Sequence, residues 1–209
     1  QYMVIGDVSD LRNNIEKLSE HTNDLKEDAL FNSAFFVNKL SGDRNDIIEK
    51  LLRTPSILPV AIADGKLTSG FGERIHPFHK GLYEHTGIDI AAMRGTPVVA
   101  TADGTVTGVS HSDLLAGYGN LIEISHSQEM VTRYAHLETI QVKRGQRIKK
   151  GQVIGTVGNS GGSIAPHLHY EVVKNGKEQN PMYYLLEKID PAAYQQLHTI
   201  SIKQNQSLD

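Results

Sequence analysis

Two hydrophobic patterns divide this chain. Up to about residue 53, apolar side chains recur at helical spacing; beyond it they come in short β-branched runs parted by turn residues. Leu11, Ile15, Leu18, Thr22 and Leu25 form an a/d stripe with one polar member. Asp10 is placed to cap its start. The helical pattern covers residues 7–53. It continues through Leu30, Phe31, Phe35, Phe36 and Leu40 and breaks at Ser41-Gly42-Asp43. A second short helix follows, with Ile47, Ile48, Leu51 and Leu52 on one face. Such a segment suits either an antiparallel helical hairpin or the end of a coiled-coil stalk, and the two heptads leave both readings open.

Thr54-Pro55 and Pro59 close the helical part. Seventeen of the nineteen glycines then lie at or after Gly65. Strand-like runs occupy 97–102, 105–109, 121–125, 130–135, 152–157 and 168–173. Asp103-Gly104 and Asn175-Gly176 read as hairpin turns. The expected fold is mainly β. A compact antiparallel β domain spans 57–186, behind an α-helical, coiled-coil-like segment over 1–56. A short closing helix is expected over 181–195 and a loose polar tail from Ser201, with 187–209 set apart as the end of that helix and the tail.

Composition adds exclusions. There is no run of eighteen apolar residues, so no helix is expected to span a membrane. Net charge is -3 with no basic stripe, which argues against nucleic acid as a partner. The acidic excess sits in residues 1–53, with ten acids against seven bases, and says little about a substrate. With no cysteine, disulfide scaffolds and thiolate zinc sites are excluded. The chain starts at Gln1, without Met or a signal peptide. It is expected to be a fragment whose signal or membrane anchor lies upstream.

The chemistry sits in the β-rich part. His85, Asp89, His136, His167 and His169 hold enough donors for one metal site and two further imidazoles. His85-Thr86-Gly87-Ile88-Asp89 is puzzling alone. On a straight strand its outer side chains would stand about 13 Å apart, at about 3.3 Å per residue, too far for one zinc. A bend at Gly87 is the remaining route. His167-Leu168-His169 puts both imidazoles on one strand face, with Pro166 marking where the strand begins. Two imidazoles facing a core without partners would be costly. His136 closes the strand 130–135. Glu171 shares the His169 face and is a candidate orienting partner, though a solvated strand carboxylate is the commoner case. Tyr83 and Arg74 are candidate groove residues, with wall packing and a structural ion pair as the plainer readings. His21, His76, His79, His111, His126 and His198 read as surface or loop histidines, with His76 and His79 near the rim of a groove.

Taken in order, Ser69-Gly70-Phe71-Gly72, Arg74, His76-Pro77, His85-x-x-x-Asp89, Tyr134-Ala135-His136-Leu137 and Gly158-Asn159-Ser160-Gly161, running into His167-Leu168-His169-Tyr170-Glu171, resemble the lysostaphin/LytM-type zinc metallopeptidases. The resemblance covers about residues 60–185. It implies that His85, Asp89 and His169 bind Zn²⁺ and that His136 and His167 are catalytic. It implies cleavage of peptidoglycan peptides outside the cytoplasm, in the periplasm or envelope. In such a site an open metal position would activate water. One histidine would move protons while the other steadies the oxyanion.

Three rivals stand beside this reading. A non-haem iron oxygenase also uses two His and a carboxylate, but usually with a closer His-x-Asp pairing, and it gives His136 and His167 no role. A non-catalytic wall-binding or hydrolase-activating module would keep the fold, and intact ligands argue against it. A lipoyl-like carrier is suggested by Lys149-Lys150-Gly151, which is equally a basic turn.

Overall fold

The computed structural model describes residues 44–61, 63–75, 82–112, 114, 116–186 and 191–203. The stripe from Leu11 to Leu40 lies outside these residues. The short helix expected around Leu51 is α1, Arg44–Arg53. It ends where the Thr54-Pro55 step disfavours further helix, and the Thr54 hydroxyl donates back to Lys50 O at 2.8 Å. From Lys50 onward the chain gathers into one compact unit.

That unit is built on strands β1 (Gly65–Ser69), β2 (Gly72–Ile75), β3 (Leu82–His85), β4 (Ile88–Ala92), β5 (Pro97–Val99), β6 (Gly104–Ser110), β7 (Leu121–Ser125), β8 (Met130–Ala135), β9 (Leu137–Ile140), β10 (Arg147–Ile148), β11 (Val153–Val157), β12 (His167–Lys174) and β13 (Lys177–Gln179). The main sheet runs β1-β4-β12-β8-β7-β6-β10, with β13 also on β12. A smaller sheet runs β5-β11-β9, and β2 pairs with β3. All these pairings are antiparallel.

Asn175-Gly176 behaves as expected. Lys174 pairs with Lys177 across a two-residue turn whose φ values are 53° and 75°, the left-handed pair that matches strand twist. Asp103-Gly104 does not make a hairpin. The flanking strands β5 and β6 belong to different sheets, so the chain changes layer there. Asp103 spends its carboxylate on the Lys150 N–H at 2.7 Å and the Lys149 ammonium at 2.6 Å. A side chain at Gly104 would run into Ser125 O. Packing, not turn chemistry, accounts for this Asp-Gly.

β12 sits between β4 and β8 and is buried on both faces from His167 to Val173. Leu168, Tyr170 and Val172 go to the apolar core, with Ile88, Ile90, Ile122, Ile124 and Tyr134. The alternate residues His167, His169 and Glu171 face the other way. Within the core runs a chain of polar groups. His126 Nε2 lies 2.8 Å from Thr132 Oγ1, which lies 3.1 Å from the Tyr134 oxygen. Thr101 Oγ1 is 3.0 Å from that oxygen and 2.9 Å from the Tyr170 oxygen. His126 is therefore a core residue rather than a surface one. Only 1% of it is exposed, and its Nδ1–H donates to Asp103 O at 2.8 Å. Burial holds this imidazole down at about 4, against the raising effect of that hydrogen bond.

In place of one helix over 181–195, a 3-10 turn at Pro181–Tyr183 ends before Tyr184 and helix α2 runs over Pro191–Lys203. The Tyr194 hydroxyl of α2 donates to Met182 O at 3.0 Å, and both residues are buried. The helix runs past Ser201 to Lys203. No helix among the described residues is long and apolar enough to cross a membrane.

Candidate metal centre

His85 ends β3 and Asp89 is the second residue of β4, so the segment is two strands rather than one. Thr86 and Gly87 form the corner between them. A side chain on Gly87 would collide with Tyr170 O and press on Glu171 and His169. Glycine is needed here for close approach; its left-handed freedom is not used. The fold removes the 13 Å objection: His85 Nε2 stands 3.0 Å from Asp89 Oδ1.

Sheet register brings in the third donor. His169 on β12 lies directly opposite Asp89 on β4, and its Nδ1 is 3.0 Å from Asp89 Oδ1 and 3.1 Å from His85 Nε2. Among the described residues these three form the one group of donors close enough to hold a metal ion. All three are essentially buried. Their outer atoms fix their tautomers. His85 Nδ1 lies 2.6 Å from Gly70 O, and a carbonyl only accepts, so Nδ1 carries hydrogen and Nε2 offers a lone pair. His169 Nε2 lies 3.1 Å from Glu171 Oε1 and donates to that carboxylate, so Nδ1 offers a lone pair. Two imidazole lone pairs and a carboxylate oxygen thus converge in the interior. Three acceptors this close repel one another unless a cation joins them. Their spacings approach the roughly 3.3 Å edge of a tetrahedron with bonds of about 2 Å. The donor set fits Zn²⁺.

Glu171 proves to be a buried orienting carboxylate. It is 0% exposed and accepts from the His169 ring, the Thr86 hydroxyl and, at 2.8 Å, the Tyr118 hydroxyl. Its other oxygen accepts from Arg133 at 3.0 Å. Burial would raise this carboxyl; the hydrogen bond from His169, with those of the two hydroxyls, outweighs it and holds it at about 2. Thr86, which turns the chain between two donors, is thereby pinned by the group that aims the third.

His136 and His167 lie beside this triad. Their rings are 4.7 Å apart, and the His136 ring is 6.0 Å from that of His169. His136 Nδ1 donates to Ser160 O at 2.7 Å, and His167 Nδ1 donates to Ala165 O at 2.8 Å. Each ring therefore presents Nε2 as an acceptor. His167 Nε2 is 3.7 Å from Asp89 Oδ1.

All five residues singled out from the sequence thus meet at one place. Arg74 and Tyr83 pair across β2 and β3, but their side chains lie outside the described atoms. His21, His76 and His79 lie outside the described residues. His111 is exposed, and His198 stacks on Tyr194 at 6.1 Å. Sequence reasoning missed Tyr118, Thr86 and Arg133. Only Arg133 carried a usable signal, as a cation on the strand that leads into His136.

A model described as Peptidase family M23 matches residues 83–181. The chain is 44% identical over 117 residues to the DD-carboxypeptidase/endopeptidase Mpg of Neisseria meningitidis serogroup B, covering 56% of this chain and 26% of that protein. It thus spans about a quarter of the length of this curated relative. Among solved structures it resembles a zinc containing peptidase from Vibrio cholerae, with TM-score 0.58, 38% identity, and coverage of 67% of this chain and 41% of that one. It also resembles the catalytic domain of a mutant of the prophage-encoded M23 protein EnpA from Enterococcus faecalis. That match has TM-score 0.52 and 38% identity, and covers 60% of this chain and 95% of that one.

Proposed function

This chain belongs to peptidase family M23, and from that premise we propose that it is a zinc-dependent endopeptidase hydrolysing the peptide cross-links of bacterial peptidoglycan. The observation that carries the reading is the buried convergence of the His85 and His169 lone pairs on the Asp89 carboxylate, 3.0–3.1 Å apart. In this reading those three residues hold Zn²⁺. Bound there, the ion supplies a Lewis acid that polarises a carbonyl and brings the pKa of a water to about 7.

The chain's own residues do the rest. Glu171 keeps a hydrogen on His169 Nε2 and so keeps Nδ1 turned inward. His136 and His167, each anchored through Nδ1, offer Nε2 at the reacting centre. One takes the proton that the attacking water loses and returns it to the leaving amine. The other takes up a proton from solvent on Nε2 beforehand, donates that N–H to the oxyanion of the attacked carbonyl, and keeps it through the cycle. Because the ring nitrogens away from the centre are held on backbone carbonyls, neither imidazole has to reorient between steps. Residues 57–186 form the peptidase domain of this reading. A peptidoglycan peptide as substrate places the reaction outside the cytoplasm. A relative named as a peptidoglycan DD-endopeptidase, ShyC of Vibrio cholerae, 41% identical over 117 residues, supports that substrate class.

The test is mass analysis of muropeptides released from purified wall. Intact protein should release cross-link-cleaved products, and both a chelator and His169→Ala should abolish them, with zinc restoring only the first. Zinc-loaded protein that binds wall yet releases nothing would make this a binding module.

A further inference from the structure

His136 stands where the chain leaves the main sheet at the end of β8 and enters the smaller sheet at the start of β9. One residue makes that change of direction, and its φ is 58°. For a residue with a side chain this left-handed state is strained, because Cβ crowds the following carbonyl oxygen. Among the described residues other than glycine only Asn175 shares it, in a hairpin turn that favours it. Such strain persists only where the surroundings over-determine it.

Here the surroundings are two interlocked loops. The peptides on both sides of His136 are tied to the first loop: His136 N donates to Tyr118 O at 2.9 Å and Leu137 N to Asn120 O at 3.2 Å. The Asn120 side chain reaches back, its Nδ2 donating to Leu137 O at 2.9 Å. From the second loop the Ser160 hydroxyl donates to the same Leu137 O at 2.9 Å and accepts the Asn120 N–H at 3.0 Å. The Ser160 carbonyl takes the Nδ1–H of His136 at 2.7 Å. Gly119 and Gly161 let the loops cross. A side chain on either would strike the other loop's backbone. Gly162 N donates to Gly117 O at 2.8 Å across the crossing.

We propose that Asn120 and Ser160 are positioning residues for the reaction: by clamping the His136–Leu137 corner they fix both the strained backbone of His136 and the tautomer that points its Nε2 at the reacting centre. Neither touches the metal donors, so they act on the imidazole and not on metal binding. The inference rests on the proton-handling role given to His136 above.

The experiment uses the zinc-loaded chain with Asn120→Ala, Ser160→Ala and Ser160→Thr. It measures bound zinc, kcat and KM on a soluble cross-linked muropeptide, and the ring-nitrogen NMR signals of His136. Those signals are assigned by their loss in His136→Gln. Each alanine variant should lose about tenfold to a hundredfold in kcat, the scale of a small misplacement of a catalytic group. Zinc content and KM should stay unchanged, and the His136 signals should change from one tautomer to a mixture. Ser160→Thr, which keeps the hydroxyl, should restore most of kcat and the single tautomer. Alanine variants that retain kcat and one tautomer would overturn the proposal. So would a loss of kcat that only tracks lost zinc. If His136→Gln itself stays fully active, the role of His136 fails instead, while the tautomer signals still report whether the clamp exists.

Discussion

Glu171 holds four partners with two oxygens, and its removal would be felt first at His169. Glu171→Gln keeps the shape but loses the charge that fixes the His169 tautomer. It should weaken zinc binding by about 10- to 100-fold, read by competition with a chromophoric chelator. Unchanged affinity would reduce Glu171 to a structural partner of Arg133. The five clustered residues were legible from the sequence only as an ordered set: each motif alone was a weak signal, and their roles came from the resemblance to the LytM-type peptidases. The weight of Glu171 was not. A strand carboxylate is usually solvated, and this one is buried because register sets Arg133 opposite it. Register is a property of the pairing, not of either segment. His126 was missed for the same kind of reason: its partners Asp103 and Thr132 come from other parts of the fold.

At the scale of elements, the corner between β3 and β4 is the most constrained connection. Gly87→Ala would drive a methyl group at Tyr170 O and part β4 from β12. Overpacking of this kind costs about 1–3 kcal/mol. The variant should melt earlier and also bind less zinc, since the shift separates His85 from Asp89 and His169. Calorimetry with and without zinc tests both, and a variant with wild-type zinc affinity would show that the corner can relax. Strands with β-branched runs, such as β7, β8, β11 and β12, could be read from the sequence. The short ones could not. β1 is five residues with glycine and lysine at its start, β2 and β3 are four residues each, and β9 follows β8 with no turn residue to announce it. The one-residue corner at His136 has no local sequence signal because tertiary contacts impose its left-handed backbone. Asp103-Gly104 misled in the opposite direction, being a strong local motif at a layer change.

Across the whole molecule, the core joins acid sensitivity to metal dependence. The His126 imidazole sits at about 4 in the fold and near 6.5 in an unfolded chain. The unfolded state therefore binds more protons in between, and stability rises with pH through that window. The contribution is complete above about 6.5 and disappears as pH falls through about 4. It amounts to about 3 kcal/mol. Denaturant unfolding between pH 7.5 and 4 should show this loss, and His126→Gln should flatten it; equal slopes would assign the acid sensitivity elsewhere. Chelation should also destabilise the fold, since three buried donors lose the charge that reconciles them. At zinc a hundredfold above its Kd the bound ion is worth about 2.7 kcal/mol, so melting should shift downward on adding chelator and recover with zinc. An unchanged melting point would place the ion outside the folding unit. β12 has a further consequence. With seven of its eight residues covered, His167, His169 and Glu171 serving chemistry and Leu168, Tyr170 and Val172 serving the core, it has almost no position where a change would be silent. A single inserted or deleted residue would exchange the two sets. Diversity among descendants of this scaffold must accumulate in the surrounding loops, so new substrate preferences can evolve while this strand stays frozen.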